Sequence, residues 1–281
     1  MITVNSLSGG KTSSYIAKHY PADYDVFSLV RVEDENCKFP DEKIRKEVED
    51  RLQAPFVGTV EDDTIIYTML DLEQFIGREI SWVTGITFDE VVRSKGGWLP
   101  NMLHRYCTTN LKLMPIFHWW HSNIGEPVEM RIGFRANEQR RATKMIERKN
   151  ENGLLEIKAT VEKHSNGRNK WETFEWQSPS FPLILDNVYK DNVEEYWKDK
   201  PVRFAWMNNC VGCFHRNEIL LKKMFEKHPN KMQWFSDQEI GRGGKGTWKN
   251  GITYEAIKEY KLQFELFDDE FDECDSGYCG L

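Results

Sequence analysis

Six cysteines, at positions 37, 107, 210, 213, 274 and 279, are the residues of this chain best suited to chemistry. Cys210-Val-Gly-Cys213 is a C-x-x-C pair, and the tight turn it predicts aims two thiolates at one metal ion or cluster. Thiolate is a soft donor that selects zinc or iron-sulfur centres over hard cations. Cys107 offers a third ligand, and the tail, Cys274-Asp-Ser-Gly-Tyr-Cys279, offers a fourth. A second chemistry-bearing segment is Ser8, Gly9, Gly10, Lys11, Thr12 and Ser13, which follows the short apolar run from Ile2 to Leu7. Glycines at the start of a helix leave backbone amides open to a phosphate, and Lys11 adds a positive charge. The segment lacks the G-x-x-x-x-G-K-[ST] spacing and is therefore not a Walker loop. Arg135, Arg140 and Arg141 could grip a phosphate or sulfate through fixed multidentate donors. Each signal also has a plainer account: a glycine turn, a zinc knuckle, a solvated arginine face.

The rest of the composition narrows the setting. With 40% hydrophobic and 30% charged residues in 281, the chain can bury a substantial core, as disordered sequences cannot. The formal charge of −7 counts against broad polyanion binding, although it leaves room for a local basic groove. No basic start followed by an apolar run precedes the glycine segment, and no stretch of about 18 apolar residues occurs, so a cytoplasmic location without membrane insertion is expected. In a reducing compartment, unevenly spaced cysteines point to metal or redox chemistry before structural disulfides. Cys37 reads as a noncatalytic thiol, and His118 and His121, beside Trp119 and Trp120, read as packing.

The elements that must position these residues can be sketched from pattern. A strand over 2–7 leads into a helix starting near Ser13. A strand over 25–32 and a charged helix over 41–53 follow, then a third strand over 65–70 and a helix over 87–94. A helix over 111–122 carries Pro115 near its start, and a strand over 128–132 ends at Gly133. Two β-favouring runs between 154 and 176 flank Asn166-Gly167, a hairpin signal. A helix over 188–198 precedes a cysteine-bearing, helix-rich lobe, in which residues 241–251 form a loop. The expected architecture is α/β: a three-layer, mostly parallel sheet with the phosphate-binding loop at its N-terminus, plus a β-hairpin insertion and a helical C-terminal lobe. Its domains would be 1–200 and 201–281, with ligand bound at the strand C-termini.

Ser8 to Ser13 (SGGKTS) resembles the S-G-G-x-D-S pyrophosphate loop of the adenine nucleotide α-hydrolase-like superfamily, with Thr12 at the usual Asp position. Arg105 to Ile116 (RYCTTNLKLMPI) resembles the R-W-C-T-x-x-L-K-x-x-P segment of the phosphoadenosine phosphosulfate reductase-like, or sulfonucleotide reductase, family. Gly133 to Ala142 (GFRANEQRRA) is similar to that family's G-x-R-x-x-E-S-x-x-R segment, and Phe181 to Asp186 (FPLILD) to its P-L-x-x-W segment, with Asn187 at the tryptophan position. The resemblances run in the family's order from residue 6 to about 198.

This resemblance implies an oxidoreductase acting on an adenylated sulfate. Lys11, the loop amides, Arg135, Arg140 and Arg141 would hold the sulfonucleotide, and Cys107, Cys210, Cys213 and Cys274 would hold a [4Fe-4S] cluster. Cys279 would be the nucleophile, similar to the thiol of the family's E-C-G-L-H tail, although Tyr278 replaces Glu and the sequence given ends before a His. If Cys279 instead replaces Cys274 as a metal ligand, no tail thiol maps onto the family's nucleophile. Tyr106 also stands where the iron-sulfur members have a cysteine adjacent to Cys107. A thioredoxin-like reductant would complete the cycle. Two other readings stay open: an ATP-dependent sulfurtransferase modifying a nucleobase in nucleic acid, with the basic run from Arg140 to Lys149 as its platform, and a noncatalytic nucleotide-binding module stabilised by zinc.

Overall fold

A computed structural model describes residues 1–240 and 245–260. The strands are β1 (Thr3–Leu7), β2 (Tyr24–Ser28), β3 (Ile80–Val83), β4 (Val128–Arg131), β5 (Leu155–Lys163) and β6 (Asn169–Ser180). The helices of the first half are α1 (Lys11–His19), α2 (Glu42–Leu52), α3 (Thr64–Ile76), α4 (Phe88–Ser94), the single turn α5 (Tyr106–Thr108) and α6 (Met114–Asn123), with a π-helical turn over Thr109–Leu113. Those of the second half are α7 (Gln139–Ile146), α8 (Pro182–Leu185), α9 (Lys190–Trp197), α10 (Glu218–Lys227), α11 (Pro229–Ile240) and α12 (Tyr254–Lys258).

Two compact units are woven from discontinuous segments. The first comprises 1–28, 66–83 and 114–204, and the second 29–65, 84–113 and 205 onward. The chain crosses between these units five times, at 28/29, 65/66, 83/84, 113/114 and 204/205.

The first unit is an α/β domain on one six-stranded sheet in the order β3-β2-β1-β4-β6-β5. All neighbours are parallel except the β5–β6 hairpin. Helices lie on both sides of the sheet. Parallel strands covered on both faces bury consecutive residues, and β2 shows this with Asp25, Val26, Phe27 and Ser28 all buried. It stops at Ser28 rather than at Val32.

The strand expected over 65–70 is instead the first half of α3. The Asp62 side chain accepts from the Thr64 amide at 2.9 Å, which starts a helix. Burial of Ile65, Ile66, Met69 and Leu72 then follows a helical rather than an alternating period. The third parallel strand is β3, whose four residues, Ile80-Ser-Trp-Val83, are too short a run to stand out in sequence. Where the sequence predicts a helix from Leu111, regular α-helix begins at Met114, directly after the π-helical turn over Thr109–Leu113, with Pro115 as its second residue.

In the second unit a core of Val30, Phe88, Leu221, Phe235, Trp248 and Tyr254, among others, gathers α4, α10, α11 and α12. Asp41, Thr87, Asn217 and Thr253 cap α2, α4, α10 and α12 through side-chain acceptors, so these four helix starts are locally encoded. No described helix is long and apolar enough to cross a membrane.

Candidate functional site

The glycine segment connects β1 to α1 beside the β1–β4 pair, where the chain's crossovers change direction across the sheet. Such a switch point opens a crevice at the strand C-termini. Gly9 takes φ +79°, a left-handed conformation that a side chain resists. Gly10 then caps α1 in an extended conformation, with no side chain bonded to the first-turn amides. The loop is held by its own serines: the Ser8 amide donates to Ser13 Oγ at 3.1 Å, and Ser13 Oγ donates to the Gly10 carbonyl at 3.0 Å. Trp197 Nε1 fixes the start of α1 from the other side, donating to the Lys11 carbonyl at 2.9 Å. Gly133, just past β4, lies close against the loop: a Cβ there would sit 3.4 Å from Thr12 Cγ2 and 3.7 Å from the Ser13 nitrogen.

Lys11 is not bare. Its ammonium pairs with Glu194 of α9, and the two face a cleft of about 500 Å³ shared with Asp191, Glu195 and Lys198. The three arginines separate in role. Arg135, buried, donates through Nε to Glu138 Oε2 at 3.1 Å, and its own amide donates to the same oxygen at 2.9 Å. Arg141 pairs with the other oxygen of Glu138 and lies 4.0 Å over the Phe134 ring. Arg140 is exposed. Glu138, the Glu of the G-x-R-x-x-E segment, thus organises both Arg135 and Arg141.

The second unit carries the thiols. Cys107, Cys210 and Cys213 line one small cavity of about 30 Å³, together with Arg105, Lys112 and His215. Among the described residues no three His, Cys, Asp or Glu side chains are already gathered at metal-ligand geometry. The donor chemistry nonetheless fits a thiolate-bound centre, because three soft donors share this cavity. Cys274 and Cys279 lie outside the described residues.

The C-x-x-C turn is built with care. The Cys213 amide donates to the Cys210 carbonyl at 3.1 Å. A Cβ on Gly212 would lie 2.4 Å from Phe235 ring carbons, so only glycine fits. Arg216, 1% exposed, threads its guanidinium beneath the turn and donates to the carbonyls of Asn208 (2.7 Å), Cys210 (3.1 Å) and Val211 (3.2 Å). Tyr254 Oη donates to the Gly212 carbonyl at 2.9 Å. These contacts hold the carbonyls of the turn on the side of Arg216 and Tyr254. Lys112 Nζ donates to buried Glu61 Oε1 at 2.8 Å, and Glu61 bridges to Cys210 through the backbone. Burial, reinforced by the cations Arg105 and Lys249, lowers the His215 pKa to about 4, so its imidazole is neutral near pH 7. Burial also pushes the Cys37 thiol well above its ordinary range, consistent with an inert core cysteine.

Arg216, Glu61, Glu138 and Glu194 are the site residues that pattern reading missed. Of these, Arg216 had a local signal in its closeness to the C-x-x-C pair, and Glu138 in its place as the Glu of the G-x-R-x-x-E segment. His118 and His121 pack against Phe117, and His121 also against Phe174, as aromatic neighbours. No family model, curated protein or solved structure matches the chain.

Proposed function

We propose that this chain is a sulfonucleotide reductase-like enzyme that binds an adenylated sulfate at the β1–α1 loop of a three-layer α/β domain and carries a thiolate-held iron-sulfur centre. The observation that carries the reading is the loop itself: an uncapped helix start, a left-handed Gly9 and Lys11, set at the switch point of a parallel sheet. The loop amides and Lys11 would hold the phosphates, and Arg140, with Arg135 and Arg141 braced by Glu138, would hold sulfate or phosphate oxygens.

Cys107, Cys210 and Cys213 would hold a [4Fe-4S] cluster, with Cys274 as fourth ligand and Cys279 as its alternative. When bound, such a cluster would shape and polarise the site. The Cys279 thiolate would attack sulfur, forming an S–S bond as the sulfur–oxygen bond to the nucleotide breaks and the nucleotide leaves with the oxygen's electron pair. A thioredoxin-like dithiol would then attack the Cys279 sulfur, releasing sulfite and taking up the oxidation as its own disulfide.

Anaerobic purification with iron, sulfide and zinc analysis on one sample tests the centre. About four irons and four sulfides per chain would support it; stoichiometric zinc alone would favour a zinc-stabilised nucleotide-binding module. Sulfite release from a sulfonucleotide tests the reaction, and Cys279→Ser with full turnover would remove Cys279 as nucleophile. A second reading, an ATP-dependent sulfurtransferase acting on a nucleobase in nucleic acid, draws support from the concentration of positive charge between Arg140 and Lys170. Pyrophosphate release from ATP on adding nucleic acid would distinguish it.

A further inference from the structure

Charge in this chain is sharply segregated. Between Gln139 and Trp171 there are nine Lys and Arg against four Glu, a net +5, whereas the whole chain carries −7 and the remainder therefore −12. That segment is α7 followed by most of the β5–β6 hairpin, and the fold uses the two together. β5 is an edge strand of the sheet. From the pairing of Leu155 with Gln177 to that of Lys163 with Asn169, the hairpin extends eight residues, about 26 Å at strand rise. The end of the α7 segment is tied to the hairpin base: Lys149 Nζ donates to Ser178 Oγ at 3.2 Å, and Asn150 Nδ2 donates to Glu156 Oε1 at 2.9 Å.

The two faces of the hairpin differ. On one, Lys170 pairs with both Glu162 and Glu172, so its charges cancel. On the other, the pairs Lys158 with Thr173, Thr160 with Trp171 and Lys163 with Asn169 share one side. Lys158, Lys163, Asn169 and Trp171 are all exposed there, as is Arg168 at the turn. Trp171 is 58% exposed, although tryptophan is a residue that folding ordinarily covers. On α7, Arg140 and Lys144 stand one turn apart on the exposed side, with Arg148 just beyond, opposite buried Ala142 and Met145. Among the described residues, none of Lys158, Lys163, Arg168, Arg140, Lys144 and Arg148 is drawn into an ion pair.

We infer that the hairpin arm and the outer side of α7 form a binding surface for a single-stranded nucleic acid, with the six cations on its phosphates and Trp171 stacked on a base. Exposed aromatics between cations are the means by which single strands are held without sequence preference. A bilayer would ask for a continuous apolar face, and around Trp171 this face holds Thr160, Asn169, Thr173 and lysines instead. The inference goes beyond the sulfonucleotide reading and does not depend on which sulfur chemistry the chain performs.

The test is fluorescence anisotropy of a fluorescein-labelled 12-nucleotide oligothymidylate with the full chain, from 50 to 300 mM salt. Six phosphate contacts would give a slope of log K against log salt of about −4, and Lys163→Gln with Arg168→Gln would flatten it by about 1.4. Trp171→Ala, at an exposed position, would weaken binding roughly 5- to 100-fold with little change in slope. Titration of ATP against the same variants reports on the β1–α1 loop separately, so failure of nucleotide binding and failure of the arm are distinguishable. Absence of oligonucleotide binding at 50 mM salt would overturn the inference, as would binding that none of these variants changes. Binding to phosphatidylserine vesicles without oligonucleotide binding, lost in the same variants, would assign the surface to membranes and overturn it equally.

Discussion

Substituting Glu194 by Gln isolates the least expected contact in the nucleotide loop. Glu194 occupies the Lys11 ammonium, the group that a phosphate must recruit, and both side chains are about one third exposed. An ion pair of that exposure is worth about 0.2–1 kcal/mol, which phosphate binding must give up. A glutamate carboxylate left ~6 Å from a phosphate charge adds about 0.7 kcal/mol of repulsion even at the dielectric of water. Gln keeps the shape and an acceptor oxygen but removes the charge, so Glu194→Gln should tighten nucleotide binding by about 1–1.7 kcal/mol, or roughly 5- to 15-fold. Isothermal titration with ATP and with adenosine 5′-phosphosulfate at 50 mM salt measures this, and at 500 mM the gain should shrink as screening weakens both terms. Unchanged or weaker binding would refute the reasoning and make Glu194 a residue that orients Lys11 for its ligand instead of competing for it.

Gly212→Ala forces a methyl into the Phe235 ring, so it should destabilise the second unit by about 1–3 kcal/mol in urea unfolding and lower metal content in proportion. Cys107→Ser, Cys210→Ser or Cys213→Ser should each reduce bound metal measured after anaerobic purification, whereas Cys37→Ala should leave it unchanged because that thiol is buried in the core. Burial opposes ionisation of Asp62, but hydrogen bonds from His228 and Thr64 outweigh it and bring its pKa down to about 2. The folded value lies below the unfolded one, so the stabilisation is complete above about pH 4 and disappears as pH falls through 2. It is worth on the order of 2 kcal/mol, and Asp62→Asn should abolish that part of the acid dependence in urea titrations at pH 5 and pH 2.5.

The sequence alone determined whatever is local. Glycines after an apolar run mark the loop from Ser8 to Ser13, Asn166-Gly167 marks the hairpin, and Asp41 and Thr87 mark helix starts, because turns and caps are satisfied within a few residues of the chain. It also marked Cys210 and Cys213, whose closeness follows from their spacing. It misread Ile65 to Leu70 as a strand, since a short apolar run has no period of its own until Leu72, Phe75 and Ile76 extend it. What only tertiary structure decided are pairings across long separations. Glu194 meets Lys11 across 183 residues, and Glu61 meets Lys112 across 51. Cys107 joins the cavity of Cys210 and Cys213 because 84–113 folds with the C-terminal segment rather than with the sheet. Such partners are chosen by burial: a charge or thiol removed from water must find its complement among whatever the fold brings beside it, and chain order carries no record of that choice.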